Sequence, residues 1–166
     1  MADQGSWEDD LKDRDGSCRD VNFSEHLSRE SALALLEAIG TEWTLHSATD
    51  GDGLTVSPSN FRACIGTGEG SLSTVWRGGS FIKQLQCYFF WSPVDTVFSE
   101  LTFFPDDIVE DRFTLSKLTA FLSIALAATH STEYYVRYEN ASWRHGDTSP
   151  ESGVIFSHCH LPLGGG

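Results

Sequence analysis

A chain of 166 residues, 40% hydrophobic and 21% charged, has the size and composition of one domain that buries its own core without metal or disulfide staples. Eleven basic against 24 acidic residues leave a formal net charge of -13, and the acidity runs throughout: Met1–Glu25 holds eight acids against three bases, the remainder sixteen against eight. That balance sets aside nucleic acid and anionic membrane as partners, since both are gripped by Lys/Arg clusters, and makes a basic protein the natural complement.

Residues 1–16 read as a disordered acidic lead-in, with Trp7 and Leu11 its only large apolar side chains. A single α+β domain is expected over residues 17–161, with 162–166 a flexible tail. The chain start is acidic and polar with no apolar stretch behind it, so no secretory signal is expected. Four scattered cysteines (Cys18, Cys64, Cys87, Cys159) without a C-x-x-C pair then read as reduced thiols of a cytoplasmic protein.

Order begins at Cys18–Phe23, which alternates like a short strand. Ser28 is positioned to cap a helix over Arg29–Ile39, where Ala32, Leu35, Leu36 and Ile39 recur at helical spacing before Gly40. The period then shortens to two. Trp43–Ser47 and Gly53–Val56 read as strands joined by the turn chemistry of Thr49–Gly53, and Phe61–Ile65 and Leu72–Trp76 as strands around the glycine-rich turn Gly66–Gly70. Gln84–Trp91 and Val97–Phe104 form the strongest strand pair.

Thr114 caps a second predicted helix, Leu115–Thr129, with Leu118, Phe121, Leu122, Ala125 and Leu126 on its apolar face. Its apolar run Leu118–Ala128 is interrupted by Thr119 and Ser123 and is too short to span a bilayer, which needs about 20 residues. Glu133–Glu139 and Val154–His158 alternate as last strands around the polar loop Asn140–Gly153. Two helices and seven or eight short strands predict a mostly antiparallel sheet with two main helices packed on one face.

No motif fixes a reaction. Gly66-Thr-Gly-Glu-Gly70 lacks the following helix that a phosphate loop requires, and Asp50-Gly-Asp-Gly53 lacks the later ligands of a calcium loop. His158 and His160 would share one face of a strand and form a weak candidate metal pair, with His130 or His145 the nearest candidates to complete it. No catalytic residue and no cofactor are expected. Two features suit a binding surface. Asp106, Asp107, Glu110 and Asp111 cluster ahead of the second helix, where part of their charge also favours its N-terminal side. Trp143, Asp147 and Glu151 lie in a polar loop with Arg144, and Trp and Arg are enriched at interface hot spots; Trp143 packing into the core is the equal alternative.

The strand Cys18–Phe23 leading to a helix, the aromatic hairpin Gln84–Phe104, and Leu115–Thr129 running into Tyr134–Trp143 together resemble immunity proteins of bacterial polymorphic-toxin and contact-dependent growth-inhibition systems. The resemblance spans residues 18–158. It implies a cytoplasmic, non-enzymatic antidote that binds a toxin domain, with a nuclease of basic cleft as the expected class, and blocks its active site. A small enzyme or ligand-binding domain with a pocket between sheet and helices, using His158, His160 and Cys87, is the alternative; an adaptor subunit is a third.

Overall fold

A computed structural model describes residues 6–93, 96–139 and 142–162. Seven strands form one sheet: β1 (Arg19–Phe23), β2 (Thr44–Asp50), β3 (Gly70–Arg77), β4 (Gln84–Trp91), β5 (Val97–Phe103), β6 (Tyr134–Tyr138) and β7 (Val154–Ser157). Their order is β2-β3-β4-β5-β1-β6-β7 and every pairing is antiparallel. The chain is α+β, as the alternating and helical periods require.

The two main helices have the bounds their caps dictate. In α2 (Arg29–Ile39) the Ser28 side chain accepts the backbone N–H of Ser31, and in α4 (Leu115–Thr129) Thr114 accepts that of Lys117. Each bond satisfies one N–H that the first helical turn leaves without a partner. His130 closes α4 in the left-handed conformation, with φ of 55°, and donates its N–H back to the last turn.

Both helices lie on one face of the sheet. Ala32, Leu35, Leu36 and Ile39 of α2 and Leu118, Phe121, Leu122 and Ala125 of α4 join Val21, Phe23, Leu85, Cys87, Phe89, Trp91, Leu101, Phe103 and Val136 in a single core. Those strand residues alternate along their chains, so their neighbours in sequence point to the opposite face.

Three local readings of the sequence are corrected. Ser6–Lys12, inside the expected disordered lead-in, forms helix α1, whose Leu11 is fully buried. One deeply buried leucine and a buried arginine supply the anchoring that a count of apolar residues misses. Arg19 of β1, 0% exposed, donates to the backbone carbonyls of Asp10 and Asp13 at 2.8 Å each, at the end of α1. Its positive charge complements the partial negative charge of a helix C-terminus. The guanidinium also stacks 4.3 Å from the Tyr138 ring, whose hydroxyl donates to Asp10 at 2.7 Å.

Phe61–Ile65 is not a strand. Pro58 opens a 3-10 turn that continues into the short helix α3 (Phe61–Cys64), so one ring and one isoleucine face the core from a helical turn. Gly53–Val56 makes a single bridge to β2 instead of a full partner strand; β2 pairs with β3 along its length. Residues 163–166 of the expected tail lie outside the described residues. No helix among the described residues is long and apolar enough to cross a membrane.

Candidate functional site

The sheet face away from the helices carries two adjoining features of different chemistry. Over β1, β5 and β6 it is a polar network under a loop. Over β3, β4 and β5 it is an uncovered aromatic patch with acids at its edge.

The polar network follows from register. Asp20 and Asn22 alternate with the core residues Val21 and Phe23 and lie opposite Thr102 and Glu100 on one side, Arg137 and Tyr135 on the other. Arg137, only 6% exposed, donates to Asn22 Oδ1 at 2.8 Å and to Glu100 Oε2 at 3.0 Å, and stands 3.7 Å from Asp20 Oδ2. Asn22 donates to Glu100 at 3.1 Å, and Thr102 donates to Asp20 at 2.7 Å.

One guanidinium thus serves two carboxylates. Burial pushes both the Asp20 and the Glu100 carboxyl above the usual range, and for Glu100 the neighbouring Asp20 charge adds to it. Burial likewise lifts the Cys18 thiol, which donates to Asp20 at 3.5 Å, to about 12. A thiol held protonated in this way is a poor nucleophile.

Trp143 roofs the network. Its ring lies 4.3 Å from the Arg137 guanidinium and 5.9 Å from Tyr135, and its indole N–H donates to the Asp147 carbonyl at 2.9 Å. The Asp147 carboxylate accepts the Ser149 N–H at 2.8 Å, which turns the loop back toward β7. Trp143 is therefore half-buried against the sheet, while Glu151 is exposed. Trp143 thus packs over Arg137 on the outer face of the sheet and is not part of the core.

The aromatic patch comes from β4 and β5. Tyr88 lies between Ser73 and Glu100, and Phe90 between Ser71 and Phe98. Tyr88 is 37% and Phe90 44% exposed, in strands whose other face is fully buried. At its β2 end the patch runs into a cavity of about 410 Å³ lined by Asp50, Asp52, Glu69, Ser71, Tyr88 and Phe90, among others. Three carboxylates and no basic side chain line it.

Two turns hold those carboxylates in place. Asp50 accepts the backbone N–H groups of Asp52 and Leu54, both at 2.9 Å, closing the turn after β2. Gly66 and Gly68 take positive φ in the turn before Glu69, which Trp91 ties down by donating to the Thr67 carbonyl at 3.2 Å. Gly70 lets that indole lie against the backbone: a Cβ there would meet the ring at 2.9 Å.

The acidic cluster expected at 106–111 sits elsewhere, beside α1. Asp106 pairs with Arg14 at 2.8 Å and Glu110 with Lys12 at 3.2 Å. Asp107 accepts the Phe104 N–H at 3.1 Å, and Asp111 is exposed. The structure thus does not bring this cluster to the face that Trp143, Asp147 and Glu151 border.

The metal candidates lose the geometry on which they rested. β7 ends at Ser157, and His158–His160 folds into a turn closed by bonds between Ser157 and His160. Among the described residues no group of three or more His, Cys, Asp or Glu is placed to hold a metal ion. His145 is occupied by the Ser24 carbonyl at 2.8 Å. Cys87 lies fully buried in the core, its thiol pushed up by burial, so it does not line a pocket between sheet and helices.

No protein-family model matches the chain, and no curated protein matches it in sequence. In fold it resembles a chain of the crystal structure of the toxic C-terminal tip of CdiA from Pseudomonas aeruginosa in complex with immune protein. The identity is 14%, the match covers 89% of this chain and 98% of that one, and the TM-score is 0.56. A T6SS protein of Pseudomonas aeruginosa overlaps less, at 10% identity over 74% of this chain and 40% of its own, with a TM-score of 0.45. At this identity what carries over is the fold alone.

Proposed function

We propose that this chain is an immunity protein that binds the toxin domain of a bacterial effector and neutralises it in a one-to-one complex. The observation that carries the reading is the end-to-end likeness in fold to a chain of a toxin–immunity complex. A net charge of -13 gives it a direction: the partner is a basic toxin domain. A nuclease is the class of toxin that fits, because a cleft that holds nucleic-acid phosphates is cationic and an acidic inhibitor can occupy it. Inhibition then consists of blocking that active site, and the chain itself catalyses nothing. Asp106, Asp107, Glu110, Asp111, Trp143, Asp147 and Glu151 remain candidate contacts, the first and third already sharing their charge with Arg14 and Lys12.

The test is co-expression with a basic effector toxin domain cloned from the same genome. Protection from killing, with a stable equimolar complex on gel filtration, is the expected result. Growth arrest by this chain alone would assign it to the toxin side of such a pair, and full toxicity of the effector domain despite soluble co-expression would overturn the proposal.

A further inference from the structure

On the uncovered sheet face, charge and apolar surface coincide. Asp106 and Glu110 are matched by Arg14 and Lys12. Asp50, Asp52 and Glu69 make no ion pair among the described residues. Next to these unmatched carboxylates stand Tyr88 and Phe90, exposed on strands whose opposite face is core, with Phe98 beside Phe90 across the ladder. Soluble domains seldom leave neighbouring aromatic rings on an open sheet face without a use for them.

We infer that the face formed by Tyr88, Phe90 and Phe98, with Asp50, Asp52 and Glu69 at its edge, is the toxin-docking surface and receives an arginine- or lysine-bearing segment of the partner. This rests on the immunity reading and adds the location and the chemistry of the contact.

The physical case has two parts. An aromatic ring desolvated by a partner supplies most of the energy at an interface, and a guanidinium laid on its face gains cation–π attraction as well. Carboxylates at the rim then attract the cation from a distance and set the orientation in which it arrives. The cavity of about 410 Å³ between Tyr88, Phe90 and the three acids has room for a long basic side chain. The same acids repel a second copy of this chain, so the occupant is a basic protein and not a symmetric dimer partner. The polar network adjoining the patch contributes rigidity: Glu100, opposite Tyr88, is fixed by Arg137 and Asn22.

Two probes test this. The first is a hexa-arginine peptide titrated into the isotopically labelled chain, with a hexa-glutamate peptide as control. Amide shifts should concentrate at Ser71, Ser73, Tyr88 and Phe90 with the arginine peptide alone. Shifts confined to residues 106–111, or none at all, overturn the assignment. The second probe is a catalytically inactivated form of the toxin domain used in the co-expression test.

Phe90→Ala and Tyr88→Ala, both at exposed positions and checked by thermal melting, should each weaken that complex about thirtyfold. Asp52→Lys with Glu69→Lys should slow association about tenfold at low salt, whereas Glu37→Lys with Glu42→Lys, at exposed positions on α2 and just after it, should change it less than about twofold. Full affinity of Phe90→Ala for a toxin that wild type binds tightly would overturn this surface and leave the immunity reading intact. Failure of wild type to bind that toxin would overturn the immunity reading itself. A concentration-dependent dimer that Phe90→Ala abolishes would replace the basic partner by a second copy.

Discussion

Removing the Arg137 guanidinium should reveal how the open face is held together. Arg137→Met keeps an unbranched chain under Trp143 but removes the cation that pairs with both Asp20 and Glu100. Breaking a buried ion pair by deleting one partner costs about 3–5 kcal/mol, because the remaining charge is left desolvated. The Glu100 side chain is 24% exposed and water relieves part of its penalty, so the lower end, about 3 kcal/mol, is expected near pH 8. The pH dependence distinguishes charge from packing. Both carboxyls are already raised by burial in the native chain, so the folded state holds protons that the unfolded state has released. Stability from these two groups is therefore greatest below the unfolded carboxylate values and falls as pH climbs through the raised folded ones.

Without Arg137 that window extends upward, and each further unit returns about 1.4 kcal/mol to the variant under acid conditions. Urea unfolding followed by circular dichroism at about pH 5 and about pH 8 measures both ends of the window. The loss should be smaller at the lower pH by at least about 1 kcal/mol. Adding Asp20→Asn and Glu100→Gln to Arg137→Met should recover much of the loss, since no buried charge then lacks a partner. An equal penalty at both pH values would refute the reasoning and assign the cost to lost packing under Trp143.

Three other perturbations probe the rest of the scaffold. Arg19→Lys should cost about 2 kcal/mol and free α1, seen as faster hydrogen exchange at Leu11, because one ammonium cannot replace a planar fork that meets two carbonyls and the Tyr138 ring. Gly79→Ala should lower stability by about 2–4 kcal/mol in thermal or urea unfolding: its Cβ would fall 2.0 Å from both the Trp43 indole nitrogen and the Ile82 carbonyl, breaking the hydrogen bond that joins them. Among the four thiols, exposed Cys159 should react first with a disulfide reagent and half-buried Cys64 more slowly. Buried Cys18 and Cys87 should react only on unfolding, which a time course of reagent uptake reads directly.

Helices α2 and α4 were legible to the residue because Ser28 and Thr114 are side chains whose oxygen closes the first turn, so their position states where the helix begins. The β4–β5 pair was legible because long aromatic runs alternate there. α1 and α3 were not. Each draws its stability from a tertiary contact: Arg19 reaching the carbonyls of α1, and Phe61 and Ile65 entering the core after the Pro58 turn. A period read along a short segment contains neither contact.

The candidate face was half-written in the sequence. Asp20 and Asn22 alternate with Val21 and Phe23, which marks one side of β1 as polar, and the same alternation places Glu100 and Thr102 opposite Leu101 and Phe103. What no local pattern supplies is that strands 1, 5 and 6 lie side by side, since Asn22 and Arg137 are 115 positions apart. Sheet order converts scattered polar residues into one network, and it also sorts the acids. Asp106 and Glu110 come to rest against Arg14 and Lys12, at and just beyond the end of α1, while Asp50, Asp52 and Glu69 gather beside Tyr88 and Phe90 with no base lining the cavity between them. Net charge, which the sequence states in full, is therefore a poor guide to where the field is strongest. Acids left unmatched after folding determine that, and three of them, Asp50, Asp52 and Glu69, border exposed rings.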